Sequence, residues 1–220
     1  MSSRSIPESS AYTPMKQENS SAYIFNDRYQ EKALLKDGAE VILRPVIPAD
    51  RLLLAHGMDN FSPESRYQRF LGARADLSAS DLRYLTEIDG VDHFALGALV
   101  WPDEGVGVAR FVRFVHEPEI AEPAIAVIDS YQNKGLGRLL FSRLIAAARE
   151  RGIQRFCGSM LAGNKPMNSL LHSVGSRICF EHQGPVVKFE MDIDQGSPLV
   201  PEFKTRAPGD IPEPGSRSKR

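Results

Sequence analysis

The sequence predicts an α/β or α+β sandwich built around a mixed sheet, on three observations. An apolar run, AIAVI (Ala124 to Ile128), passes through a glycine-containing turn into a long apolar-periodic stretch that ends near Arg151. Two further runs, HFALGALVW and VGVARFVRFV, flank Pro102 to Gly105, which is a hairpin signal. A last pair, RICFEH and VVKFEMDI, flanks Gln183-Gly184-Pro185 in the same way. The order along the chain is strand, helices, three strands, helix, strand, helix, two strands, which layers helices on a sheet.

Each element has a local reason. EVILRPV (Glu40 to Val46) reads as the first strand, and Pro48 to Met58, with Leu52, Leu53 and Leu54, as a helix. SPESRYQRFLG opens with Ser62 as a helix cap and Pro63 at the first helical position. LSASDLRYLTEI repeats the device, with Ser78 or Ser80 as cap and Leu82, Leu85 and Ile88 at helical spacing. EPAIAVI is so continuously apolar that a central strand covered on both faces is expected. In the long helix from Leu136 to Arg151, Leu140, Leu144, Ala147 and Ala148 face the core, Arg143, Arg149 and Glu150 face solvent, and Gly152 ends it. IQRFCGSML is the next strand, and Pro166 to Val174 a helix stopped by Gly175.

Composition narrows the class. The chain has 220 residues, 42% hydrophobic and 25% charged, which fits one globular domain with tails. A net charge of -1 gives no electrostatic footprint for nucleic acid. Two cysteines, Cys157 and Cys179, make no disulfide framework, no Cys/His spacing suits a metal site, and a reducing, cytoplasmic setting is expected. No apolar segment approaches the roughly 20 residues of a membrane helix, and no signal-peptide core is visible, so no membrane partner is expected. Residues 1–26 are Ser-rich and without periodicity, and residues 195–220 are rich in Pro and Gly. The expected division is therefore tail 1–26, domain 27–194 and tail 195–220.

The turn DSYQNKGLGRLLF (Asp129 to Phe141) carries the chemistry. Helix starts favour acidic side chains, because the N-terminal end has partial positive charge. Here Lys134 and Arg138 make the first turn basic, which fits a bound anion. A Walker loop is excluded because the chain has no Gly-Lys pair, and a dinucleotide fingerprint because Leu140 stands where a third glycine belongs. Two readings remain open: Gly135 and Gly137 allow a tight strand-to-helix turn, or they let a pyrophosphate approach the backbone N–H groups.

AVIDSYQNKGLGRLLFSRLIAAARERGI resembles the acyl-CoA-binding core of the GNAT superfamily of N-acetyltransferases, and the likeness in element order runs from about Glu40 to Asp192. The resemblance implies a central mixed, mostly antiparallel sheet with helices on both faces and a V-shaped splay between its two central strands. It implies acetyl-CoA as acyl donor and no metal. The pyrophosphate would be held by the amides of Gln132, Asn133, Lys134, Gly135, Leu136 and Gly137, with Arg138 just behind. The backbone of Ala126, Val127 and Ile128 would run along the thioester and pantetheine arm, and Ile153 to Leu161 would splay away. NKPMNSLLHSVG resembles the family's loop and helix beyond that strand. There Asn164 would meet the CoA arm, although a helix cap is an equally good local reading. Many relatives carry a tyrosine on this helix that protonates the thiolate; here Leu171 and His172 stand nearby, so no general acid is assigned.

Acetylating an amine requires its neutral form, and a lysine side chain has an unperturbed pKa near ~10.4, so a base is needed. Glu122 opens the strand EPAIAVI and by alternation shares a face with Ala124 and Ala126. It reads either as a base in an apolar cleft or as an ordinary strand end in solvent. SPESRYQRFLG, LSASDL and AEPAIAVIDSYQNKGLG together resemble the acetyltransferase domain of bacterial protein lysine acetyltransferases of the Pat type. That resemblance implies Glu122 as general base, a protein lysine as acceptor, and Arg66, Tyr67, Arg69 and Phe70 near the acceptor side. The oxyanion would be met by the N–H of Val127 or Ile128. A small-molecule amine acceptor and a non-catalytic acyl-CoA sensor are the alternatives. No stretch is left for a cyclic-nucleotide or acyl-CoA-synthetase-like regulatory domain, so such control would come from another chain.

Overall fold

The computed structural model describes residues 23–70, 76–174 and 177–195. Eight strands form one sheet: β1 (Glu31–Leu34), β2 (Glu40–Pro45), β3 (His93–Val100), β4 (Glu104–Phe114), β5 (Glu117–Val127), β6 (Arg155–Leu161), β7 (Arg177–Gln183) and β8 (Val186–Asp192). Their spatial order is β1-β2-β3-β4-β5-β6-β8-β7. Every neighbour pair is antiparallel except β5 and β6. The helices are α1 (Arg51–Asp59), α2 (Pro63–Phe70), α3 (Ala79–Thr86), α4 (Leu136–Glu150) and α5 (Lys165–Val174).

The parallel pair positions the site. β5 and β6 are joined only at Ile120 with Arg155 and Ala121 with Phe156. Beyond that the strands diverge, and the C-terminal half of β5 loses its neighbour on one edge. The expected cover on both faces of this strand is therefore only half met: Ala121 and Pro123 are buried, whereas Ala124 to Val127 are half-buried. On one face α4 packs across β3, β4 and β5. Phe111, Phe141 and Phe156 meet there at ring separations of 6.0 and 6.2 Å. The opposite face carries α1 and α3. Ser78, not Ser80, caps α3, accepting from the Asp81 N–H at 3.1 Å while Asp81 takes the Ser78 N–H at 2.8 Å. Ser62 caps α2 as expected, accepting from Ser65 N–H at 3.2 Å.

Four expectations are corrected. β1 was not expected, because its pattern misleads: Glu31 and Ala33 are buried while Lys32 and Leu34 are exposed. Arg143 does not face solvent; it is fully buried, and its guanidinium grips Glu31 at 2.6 and 2.7 Å. Order begins before residue 27, since Phe25 is completely buried. Arg151 holds this segment, donating to Phe25 O at 2.8 Å and lying over the rings of Tyr23 and Phe94 at 4.5 and 4.2 Å. Burial pushes the Arg151 guanidinium down to about 10. Finally, β5 starts at Glu117, so Glu122 lies inside the strand, opposite Val112, and not at its opening. Of the expected tails 1–26 and 195–220, residues 1–22 and 196–220 fall outside the described residues, as does Gly175.

Candidate active site

The turn after β5 is held open by its own side chains and by β1. Asn133 and Gly135 both take left-handed backbone, with φ of 60° and 92°. Gly135 is the N-cap of α4 and owes its identity to that angle, since a Cβ there would be strained. Gly137 has no such excuse. Its φ is ordinary, and an added Cβ would meet only Ile125 Cδ1, at 4.0 Å. Nothing in the protein's own packing requires a glycine at this position, as close approach of a ligand would. Lys36 N–H donates to Lys134 O at 3.0 Å, and Lys134 pairs with Asp37 at 2.9 Å while lying over the Tyr131 ring. The β1–β2 connection thus braces the turn. Arg138 remains exposed.

Among the described residues the backbone N–H groups of Asn133, Lys134, Gly135, Leu136, Gly137 and Arg138 reach no protein acceptor. They form a run of donors at a helix N-terminus, the chemistry of an anion cradle. Gln132 differs from the expectation: its N–H is taken by Asp129 O at 3.2 Å. Its side chain is structural, with Nε2 donating to Val127 O at 3.1 Å and to Ser65 Oγ at 3.2 Å. That second bond and the Ser62 N–H to Asp129 contact of 3.3 Å fasten α2 onto the turn. Burial opposes ionisation of Asp129, but hydrogen bonds from Ser62 and Ser65 hold its carboxyl below its ordinary range.

Strand alternation decides which amides of β5 face the splay. Ile128 N–H donates to Val106 O at 3.1 Å, so it points to β4 and is not available to a ligand. Ala126, two residues back and opposite Val108, points its backbone the same way. Val127 alone of the three directs its N–H toward the diverged β6 edge.

Glu122 and Ala124 share the α1–α3 face of the sheet with Arg110 and Val112, their β4 partners. Glu122 is exposed and, among the described residues, its carboxylate is in no hydrogen bond or ion pair. Beyond Ala124 on this face a cavity of about 250 Å³ opens between the sheet and α1, α2 and α3. Its floor is Ala95, Gly97, Val108, Ala124 and Ala126, and its walls include Leu53, Met58, Phe70 and Leu85. Of the four residues expected near the acceptor, Arg69 and Phe70 line this cavity. Tyr67 is exposed, and Arg66 donates to Met58 O at 2.5 Å.

Asn164 takes the helix-cap reading. Its Oδ1 accepts from Met167 N–H at 3.0 Å at the start of α5. His172 is exposed against the Phe180 ring, 5.6 Å away, and Leu171 is buried. Sequence reasoning overlooked two residues of the cavity wall, Arg110 and Tyr84, and His93, which lies behind Arg110. The signal was present in VGVARFVRFV, where Arg110 occupies a position between Val108 and Val112 on one face of a strand. Among the described residues no group of three or more His, Cys, Asp or Glu side chains gathers to hold a metal. No helix among them is long and apolar enough to cross a membrane.

The sequence pattern of the Acetyltransferase (GNAT) family matches residues 62–175, just over half of the chain. The chain belongs to the GNAT family. Among its relatives is the acetyltransferase Pat of Mycolicibacterium smegmatis, 36% identical over 166 residues, which are 72% of this chain and 47% of Pat. Another is the acetyltransferase PA5475 of Pseudomonas aeruginosa, 33% identical over 144 residues, 64% of this chain and 77% of that protein. The chain thus spans about half the length of the mycobacterial relative. The crystal structure of the GNAT domain of S. lividans PAT superposes with a TM-score of 0.69 at 30% identity, covering 74% of this chain and 96% of that one. The GNAT fold is what places the glycine turn at the mouth of the splay.

Proposed function

We propose that this GNAT protein transfers an acetyl group from acetyl-CoA to a primary amine, a protein lysine, by direct attack with Glu122 as general base. The observation that carries the reading is the run of unengaged N–H groups from Asn133 to Arg138, continuous with the N–H of Val127 on the opened edge of β5. A pyrophosphate on the turn and a carbonyl at Val127 are the two anchors that a CoA thioester needs. When bound, acetyl-CoA supplies the activated acyl carbon. The chain holds the pyrophosphate on the turn amides, directs the Val127 N–H at the developing oxyanion, and offers the Glu122 carboxylate to the amine proton. Asn164, with Oδ1 engaged in capping, retains its Nδ2 group for the CoA arm. Cys157 has its thiol pushed up by burial, which disfavours a covalent acyl-cysteine route.

The acceptor assignment rests on the resemblance to Pat-type protein lysine acetyltransferases and on the exposure of Glu122, which a side chain presented by a protein surface can reach. The test is labelled acetyl-CoA with purified protein and a lysate split into protein and small-molecule fractions, wild type beside Glu122→Gln. Label in protein that vanishes with the variant is the expected result. Label only in small molecules moves the acceptor to a small amine. CoA binding with no label in either fraction leaves a sensor module and ends the catalytic reading.

A further inference from the structure

Arg110 is a cation on the wall of a cavity that is otherwise mostly apolar, and no described residue neutralises it. Among the described residues no carboxylate lies within 4.0 Å of its guanidinium. The other charges of the wall are engaged: Arg44 and Asp50 form a bidentate pair at 2.6 and 2.7 Å, Asp81 is bound to Ser78, and Arg69 lies over the Phe70 ring at 5.2 Å. Arg110 Nε is buried without any hydrogen-bond partner. Its fixed contacts are neutral: its Nη1 meets His93 Nε2 at 3.4 Å, and its guanidinium lies 5.2 Å from the Tyr84 ring centre. His93 is buried, and burial with the neighbouring cation pushes its imidazole down to about 3, so it accepts from Arg110 as a neutral ring. A buried donor without a partner and an unpaired charge are each costly, and an anionic partner from outside would satisfy both.

From these contacts we infer that Arg110 binds a carboxylate of the reacting molecules, with the apolar cavity of about 250 Å³ receiving the chain that carries it. A planar guanidinium with free donors matches a carboxylate in two parallel hydrogen bonds. Arg110 stands opposite Ala124 on β4, one step along the same face from Glu122. A molecule reacting beside Glu122 and Val127 therefore reaches Arg110 across the alanine floor. The carboxylate has two sources: the far end of a dicarboxylic acyl group such as succinyl, or the acceptor itself when it is an amino acid. This inference rests on the reading that acyl transfer takes place beside this cavity, and on nothing else about the acceptor.

Binding measurements decide it without requiring turnover. One arm titrates the protein with succinyl-CoA and with butyryl-CoA, which differ by the terminal carboxylate. The other titrates CoA-saturated protein with N-acetyl-leucine and with N-acetyl-leucinamide. Each is repeated with Arg110→Gln and Arg110→Lys. The expected result is a preference of about tenfold or more for the carboxylate partner in one arm. Arg110→Gln abolishes that preference, Arg110→Lys keeps part of it, and butyryl-CoA binds all three proteins alike. The arm that responds names the source. Equal affinities within both pairs, or a preference that survives Arg110→Gln, overturns the inference. Butyryl-CoA and CoA report separately whether the cofactor reading holds.

Discussion

Arg143 on α4 and Glu31 on β1 form a bidentate ion pair, 2.6 and 2.7 Å, with the arginine entirely out of solvent. Tyr29 adds its hydroxyl to the same carboxylate. The pair clamps the first strand to the helix whose N-terminus presents the turn. Breaking a buried pair leaves one charge unmatched, so Arg143→Met or Glu31→Gln should destabilise by about 3–5 kcal/mol in urea unfolding. Combining Glu31→Met with Arg143→Met should recover much of that. Burial raises the Glu31 carboxyl, but the hydrogen bonds from Arg143 and Tyr29 outweigh it and hold it below its ordinary 4.5. Its stabilisation is therefore present above pH 4.5 and lost as pH falls through the depressed value.

His93 gives a second acid limb, which begins at higher pH. Its folded value of about 3 lies below its ordinary 6.5, so between these pH values the unfolded chain binds the extra proton. Stability should fall by about 1.4 kcal/mol for each pH unit below 6.5 on this account. Urea midpoints compared at pH 7 and pH 5 should show a smaller loss for His93→Gln than for wild type. An identical loss would mean that His93 does not carry the effect.

The two glycines of the turn should separate in their consequences. Gly135→Ala forces a side chain into φ of 92° and should cost about 1–2 kcal/mol of stability. Gly137→Leu meets no obstacle at its Cβ inside the protein and should unfold at nearly the wild-type midpoint. Its CoA affinity, read by calorimetry, should nonetheless drop tenfold or more, by analogy with about 1.4 kcal/mol of lost amide contact.

Glu122→Gln keeps the shape of the strand and removes the proton acceptor. The expected outcome is a kcat lower by about 10²- to 10⁴-fold with the Kd for acetyl-CoA unchanged. A parallel loss of CoA affinity would instead make Glu122 part of the cofactor's seat.

Much of the fold was legible because it rests on local rules. The caps at Ser62 and Ser78, the hairpin of β3 and β4 and the stop at Gly152 depend on residues within a few positions of one another. Where a residue's partner is remote in sequence, local rules mislead. Arg143 looked like a solvent residue on the polar side of a helix, because its partner lies 112 positions away. Phe25 looked like part of a tail, because the arginine that receives it is 126 positions away. Arg110 passed unremarked, because only α3 folded over the sheet makes its position a cavity wall.

The sequence alone determined the strand, the glycine turn and the helix, and with them the residues Asn133 to Gly137 and Glu122 as the places to look. The elements follow from backbone conformation and periodicity, which neighbouring residues set, and the site residues from the resemblance to known acetyltransferases. Tertiary structure decided which of these groups are free. It committed the amides of Gln132 and Ile128 to protein acceptors, left that of Val127 on an open edge, and made Asn164 a cap. It also placed an arginine that no described carboxylate pairs two residues' span from the candidate base. Hydrogen-bond occupancy and charge pairing depend on what the chain brings alongside from afar, and burial makes each such pairing matter.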